Sequence, residues 1–499
     1  MSGWGGGYIV DIPYMTGWYR QQSPALLALA AILGGVEATV PQGDDPIHFL
    51  ELGCGQGFGA LLLAASNPSW RVTAIDFNPA HIAEARSWAA EADLPNVTFI
   101  EADLAVFAGE AAAAAIPEAD FVSLHGVWSW VAPAVKAGIL RLLRDKVRPG
   151  GLVHVSYNAL PSWGPRLGMQ KLLRAAGRQM GSRSDHRAEE GVKVLKALHA
   201  SGAIHLTQPV STGRLLERLD QLPVSYLAHE FMNENWAPCF MTDVAEAMSG
   251  AKLEWAGSSH LVQNFPALTL TEAQQAIQRQ FDDPLMRELV KDVCVDTALR
   301  HDVYVRGARR ISASERDALL RETSISLNIS PEHLPLEAET PVGKVELNPK
   351  FYQPLVSALR DGPRRIADLL ALPDIEGRRD NPAELVGILV GLDMAEPAAR
   401  RAADPGSAAK RLNRVTTRRF LKHGNLNMGI GAASHRLGTP MPATLLDLIV
   451  GERVLAGDTD PARIADAIGV IDEQAAALRA VVHQTLEVRV PVLRSAGVI

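Results

Sequence analysis

Between residues 48 and 157, short apolar runs alternate with helical stretches, and this alternation leaves few folds open. His48–Gly53, Arg71–Phe77, Val97–Asp103, Ala119–His125 and Leu152–Tyr157 read as strands. Phe58–Ala65, Pro79–Ala92 and Ala134–Lys146 read as helices between them, the second with proline in its first turn. Strands separated by helices predict a parallel sheet, because right-handed helical crossovers return the chain to the same edge. The expected core is an α/β, doubly wound, Rossmann-like sheet with its ligand at the carboxyl ends of the strands.

The chain has 499 residues, enough for two to four domains. With 47% hydrophobic and 21% charged residues it is not a disordered protein. The longest apolar run, Ala25–Val36, is well short of the ~20 residues that span a bilayer, so no membrane association is expected. The first residues lack a basic and an apolar region, so no signal peptide is expected. Three cysteines form no disulfide framework, and a cytoplasmic location fits. Net charge is −7, divided as +3 over residues 340–499 and −10 over the rest. An acidic N-terminal part argues against nucleic acid as a partner.

The densest motif is Phe49-Leu-Glu-Leu-Gly-Cys-Gly-Gln-Gly-Phe-Gly59. Its glycines let the backbone turn sharply and approach a cofactor. Gly55, Gly57 and Ala60 also fit a dinucleotide loop, so the loop alone leaves two cofactor classes open. Glu51 favours one of them. A carboxylate ahead of the glycines repels a pyrophosphate but attracts the ammonium and sulfonium of S-adenosylmethionine. Asp76 at the second strand end can accept two ribose hydroxyls, and Asp103 at the third can accept an adenine amino group. The alternative is that these two aspartates cap the helices that follow.

With these residues the sequence resembles the class I S-adenosylmethionine-dependent methyltransferases. His125-Gly-Val-Trp128-Ser-Trp130-Val131, Ser156-Tyr-Asn-Ala-Leu-Pro161, Tyr226-Leu-Ala-His-Glu230 and Val490-Pro-Val-Leu-Arg494 are similar to a narrower group. These are bacterial methyltransferases with a methyltransferase regulatory domain, related to bacterial protein lysine methyltransferases. The resemblance implies S-adenosyl-L-methionine held by Glu51, Gly53, Gly55, Gly57, Asp76, Phe77, Asp103 and Leu104, with His125 beside it. It also implies a protein acceptor, and it allows a homodimer.

Methyl transfer needs alignment of acceptor, methyl and sulfonium and exclusion of water. A lysine acceptor must lose a proton, and aromatic faces tolerate the methylated cation. His125 follows the fourth strand, where it is a candidate general base or acceptor-orienting group. Trp128, Trp130, Tyr157 and Asn158 are candidates for the rest of the pocket, with simple packing as the alternative for the tryptophans. Tyr8, Asp11, Tyr14, Trp18 and Tyr19 form an aromatic N-terminal stretch that reads either as a lid over the cofactor or as a packing arm.

The expected domains are 1–164 for the cofactor-binding core, 165–222 for a helical insertion, 223–335 for the regulatory and remaining core segment, and 336–499 for a winged-helix-like and helical C-terminal domain. Tyr226–Phe231 and Leu253–Gly257 are the candidates for the closing strands, and Thr340–Leu347 is a further strand. Pro349–Leu359, Arg365–Leu372 and Pro382–Leu392 read as helices, and Glu396–Gly406 as a linker. Arg400–Lys422 is rich in base and reads as a solvated face or as a dock for an acidic partner. His229-Glu230 begins like a zinc-protease helix, but position 233 is Asn, and the cysteines lack ligand spacing, so no metal is expected. The leading expectation is methyl transfer to a protein lysine. A small-molecule or surface-glycan methyltransferase and a non-enzymatic cofactor sensor are the alternatives.

Overall fold

The computed structural model describes residues 4–12, 17–180, 183–377, 379–399, 408–422, 425–469 and 472–499. Its centre is a seven-stranded sheet. The strands are β1 (His48–Leu52), β2 (Arg71–Asp76), β3 (Val97–Glu101), β4 (Ala119–Leu124), β5 (Val147–Asn158), β6 (Leu253–Ser258) and β7 (Leu299–Arg306), in the order β3-β2-β1-β4-β5-β7-β6. The first five are parallel, and β7 runs antiparallel to both of its neighbours. Every residue of β1 is buried, as the central strand of a sheet covered on both faces must be. Helices α1 (Pro24–Leu33), α2 (Phe58–Ser66), α3 (Pro79–Glu91) and α4 (Pro133–Lys146) cover it. Asn78 caps α3 by accepting from the Ala80 N–H, with Pro79 in the first turn.

The two closing strands are only half as expected. Leu253–Ser258 joins the sheet as β6. Tyr226–Phe231 does not: Val224–Phe231 is a helix, started after Pro223 and burying Leu227, Ala228 and Phe231 on one face. The strand that fills the place is Leu299–Arg306. Its alternation of Val303 and Val305 with Asp302 and Tyr304 was hidden by the charged residues of a buried strand. Helices Leu167–Met180, Ser184–Ala200 and Val210–Arg218 lie between β5 and β6 in sequence. Together with the Val224–Phe231 helix they build a satellite core that includes Leu173, Leu195, Leu216 and Phe231.

Beyond β7, strand Ser324–Leu327 pairs antiparallel with Arg364–Arg365 and Ala395–Ala398. The segment expected as a linker therefore begins as a strand, with Glu396 wholly buried, while residues 400–407 lie outside the described ones. Thr340–Leu347 is not one strand but the second half of a hairpin, Glu337–Thr340 with Gly343–Glu346. Pro382–Leu392 starts as the α-helix Pro382–Leu385 and widens into a π-turn at Val386–Val390. No helix among the described residues is long and apolar enough to cross a membrane.

Candidate functional site

The glycine loop leaves β1 with Gly53, Gly55 and Gly57 all at positive φ. A side chain at Gly53 would meet Val127, and one at Gly57 would meet Phe99, so both are glycine for close packing as well as for the turn. At Gly55 nothing lies within 4 Å of a would-be Cβ, so the loop faces open space there. Asp76 holds the loop in place: its two carboxylate oxygens accept from the Gly55 N–H at 2.8 Å and the Asn78 N–H at 2.9 Å. His81 stands 3.4 Å from the same carboxylate. Thus Asp76 joins the glycine loop to the start of α3.

Glu51 is buried, and burial raises its carboxyl to about 8, with Asp76 adding to the rise against a backbone hydrogen bond from Ala60. Its Oε2 has no hydrogen-bond partner in the protein. A buried carboxylate oxygen without a partner beside an open glycine loop fits a cationic cofactor and not a phosphate. Asp103 is exposed just past the end of β3, and its Oδ1 accepts from the Ala105 N–H in a local turn rather than capping a helix. Leu104 is buried, with its carbonyl pressed against Gly138 of α4. Phe77 lies under Trp4 and Tyr8, with ring centroids 5.7 and 5.8 Å away, so the N-terminal segment covers the end of β2. Tyr14 lies outside the described residues.

His125 stands at the end of β4. Its Nδ1 is 3.1 Å from Ser156 Oγ, Tyr19 stacks on its ring at 3.9 Å, and desolvation by the surrounding protein lowers its pKa to about 4. His154 and His301 lie next to it on the same sheet face. Asn158 also belongs to this region. Its Nδ2 donates to Glu230 Oε1 at 3.1 Å, and desolvation raises that carboxyl to about 7 against the Asn158 hydrogen bond. Burial raises the Tyr8 and Tyr226 hydroxyls, and the charge of Glu230 adds to the rise in both, with Asp76 adding at Tyr8. Sequence reasoning did not select Glu230 as a site residue. The signal was its place in the Tyr226–Glu230 motif, which the sequence offered as a family mark and as the start of a zinc-protease helix that lacks its second histidine.

Tyr157 and Trp128 do not join this group. Alternation along β5 turns Tyr157 to the opposite face from Ser156, where its hydroxyl donates to Asp302 in a buried ionic network. Trp128 is buried in the core of that face, with Lys136 Nζ 5.2 Å over its ring. Trp130 instead meets Trp236 at 6.4 Å, which meets Trp163 at 5.1 Å.

Residues 49–151 match a family model described as a methyltransferase domain, and residues 223–306 one described as a predicted methyltransferase regulatory domain. The uncharacterized protein sll1526 of Synechocystis is 33% identical over 396 residues, covering 79% of this chain and 77% of its own. The chain belongs with it in one family of class I S-adenosylmethionine-dependent methyltransferases. The uncharacterized protein RP028 of Rickettsia prowazekii is 24% identical over 225 residues, 45% of this chain and 86% of its own. The methyltransferase also shares its fold with PKMT2 of Rickettsia typhi in complex with AdoHcy. The TM-score is 0.69 at 16% identity, over 95% of this chain and 98% of that one. The segment matched as regulatory is no separate body here: it supplies β6, β7 and Glu230.

Proposed function

We propose that this methyltransferase modifies lysine side chains of a protein. The observation that carries the reading is Glu230, a carboxylate set on Asn158 within electrostatic reach of Tyr8 and Tyr226. A carboxylate attracts an ammonium, and tyrosine rings within its electrostatic reach tolerate the charge after methylation. With its carboxyl near 7, Glu230 is ionised often enough at neutral pH to take the proton that a lysine must lose. The resemblance to bacterial protein lysine methyltransferases supports the same acceptor, and the structural likeness to PKMT2 extends along almost the whole chain.

On the cofactor side, Glu51, Gly53, Gly55 and Gly57 would hold the methionine end of S-adenosylmethionine, Asp76 and Phe77 the ribose region, and Asp103 with Leu104 the adenine. When bound, that molecule supplies an electrophilic methyl on a cationic sulfur. The protein's part is to neutralise the cation with Glu51, to keep the loop shaped through Asp76, and to orient the acceptor with His125 and Asn158. The test is transfer of labelled methyl from the cofactor into a fractionated lysate. Label recovered as methyllysine after acid hydrolysis of protein is the expected result. Label confined to small molecules or glycans would replace the lysine reading with the alternative acceptors.

A further inference from the structure

His125, His154 and His301 come from three different strand positions and meet on one face of the sheet. One ring nitrogen from each lies within 4.8 Å of the others, and this is the group of metal-ligating side chains found among the described residues. Ring centroids are 5.4 Å apart for His154–His301, 5.6 Å for His125–His301 and 6.0 Å for His125–His154. The three rings lie within 9–12° of parallel. His154 Nε2 stands 3.1 Å from His301 Nδ1. Two imidazole nitrogens on one tetrahedral zinc, each about 2.0–2.1 Å from it, stand roughly 3.3 Å apart, so this pair is already near the required spacing.

The rings are oriented from behind. Ser123 Oγ meets His154 Nδ1 at 3.0 Å, and Ser156 Oγ meets His125 Nδ1 at 3.1 Å. These contacts leave Nε2 of His125 for a ligand and turn Nε2 of His154 toward His301 Nδ1, with which it shares a hydrogen bond that a bound ion would replace. A hydrogen bond on the far nitrogen is how proteins fix a ligating histidine. His154 and His301 sit inside paired strands, β5 and β7, and cannot shift far. The adjustment needed to close the third distance falls on His125, which stands just beyond β4 and is half-buried.

We propose that His125, His154 and His301 bind one borderline transition-metal cation, of which Zn²⁺ is the representative, through three imidazole nitrogens. Imidazole-only ligation suits zinc and its neighbours in the series and does not suit calcium or magnesium. Three protein ligands leave a fourth position open, and the least buried ring, His125, marks the side on which it opens. A bound ion ties β5 and β7 to the end of β4 and occupies the nitrogen that His125 would otherwise offer to a proton. The proposal holds whatever the methyl acceptor is.

The experiment uses the full chain, stripped with chelator and dialysed against Zn²⁺. One zinc per chain is expected, and X-ray absorption at the zinc edge should report three imidazole nitrogens near 2.0–2.1 Å. Replacement by Co²⁺ should give the intense visible absorption of a four-coordinate ion. Ser123→Ala should weaken zinc binding by ~10–100-fold by freeing the His154 ring. His154→Ala and His301→Ala should abolish it, with folding checked by circular dichroism. No retained zinc, ligation by sulfur or carboxylate oxygen, or stoichiometric binding undiminished in a folded His154→Ala or His301→Ala chain would each overturn the site. The absorption measurement on the unsubstituted protein decides the matter even if both variants fail to fold.

Discussion

Three carboxylates at the site differ in their partners, and each difference has a measurable consequence. Glu51 is protonated in the folded chain up to about pH 8, whereas an unfolded glutamate ionises near 4.5. The folded state therefore holds a proton that the unfolded state releases, so this residue's contribution to stability is greatest below pH 4.5 and is lost as pH rises through 8. A cationic cofactor favours the ionised form. Calorimetry in buffers of different ionisation enthalpy should show proton release on cofactor binding between pH 6 and 8, and affinity should rise over that range. Glu51→Gln should remove both effects. For Asp76, two roles are joined in one side chain. Asp76→Ala should weaken cofactor binding by roughly 1.5–3 kcal/mol. It should also lower the melting temperature without cofactor, because the Gly55 and Asn78 N–H groups lose their acceptor. Glu230 and His125 are separated by pH. The pH dependence of kcat/KM should inflect near 7 and lose that inflection in Glu230→Gln. His125→Ala should lower turnover but keep the inflection, because Glu230 carries it.

The added strand β7 is an element whose charged residues, Arg300 and Asp302, make it read as solvent-exposed. Arg300 is buried on it and donates to Asp302 at 2.8 Å, to Asp292 at 2.6 Å and to Glu288 at 2.8 Å. Lys291 completes the group at 2.7 Å from Glu288, and the Tyr157 hydroxyl donates to Asp302. These contacts bind β5, β7 and the helix Pro284–Cys294 into one unit. A buried network is weak evidence of net stability, but removing one member leaves uncompensated charge. Arg300→Ala should therefore destabilise the protein by about 3–5 kcal/mol in urea titration. Asp292, held up at about 6 by burial against the pull of Arg300, should become harder still to ionise in that variant.

At the scale of the molecule, the C-terminal region is bound to the cofactor-binding sheet by both charge and apolar contact. The basic helix Ala408–Leu421 packs on α2, and its side chains reach across to α3. Arg419 sits 4.7 Å over the Trp88 ring and reaches Glu84 and Glu91 at 2.7 Å, and Arg418 reaches Glu91 at 3.1 Å. Phe420 packs edge-on to Phe58 of α2 at 5.7 Å. At the other side Arg20 pairs with the buried Glu396 at 2.8 Å. The basic face thus has partners within its own chain, while Arg400, Arg401 and Asp404 lie outside the described residues. One apolar core runs from Leu26 and Phe49 through Leu62 to Leu355, Leu389 and Leu412. A truncated chain of residues 1–312 should expose that core, bind a hydrophobic dye and aggregate. A soluble, two-state fragment of that length would show that the two regions are energetically independent. In the full chain, unfolding should be a single transition by calorimetry.

The parallel half of the sheet, the glycine loop and the acids at the strand ends follow from the sequence by itself. Each is encoded locally, in strand and helix periods and in residues adjacent along the chain, so no distant contact is needed to recognise it. The tertiary structure alone decided the rest. Arg300 and Asp302 make Leu299–Arg306 look solvent-exposed until Glu288, Asp292 and Lys291 are brought against them. Tyr226–Phe231 fits a strand or a helix by composition, and packing of Leu227 and Phe231 against the satellite core selects the helix. Glu230 meets Asn158 across 72 positions, and His154 meets His301 across 147. The local pattern sets which face of an element is buried. The partner of a buried polar group, and therefore its charge state and its chemistry, is set by residues far away in the chain.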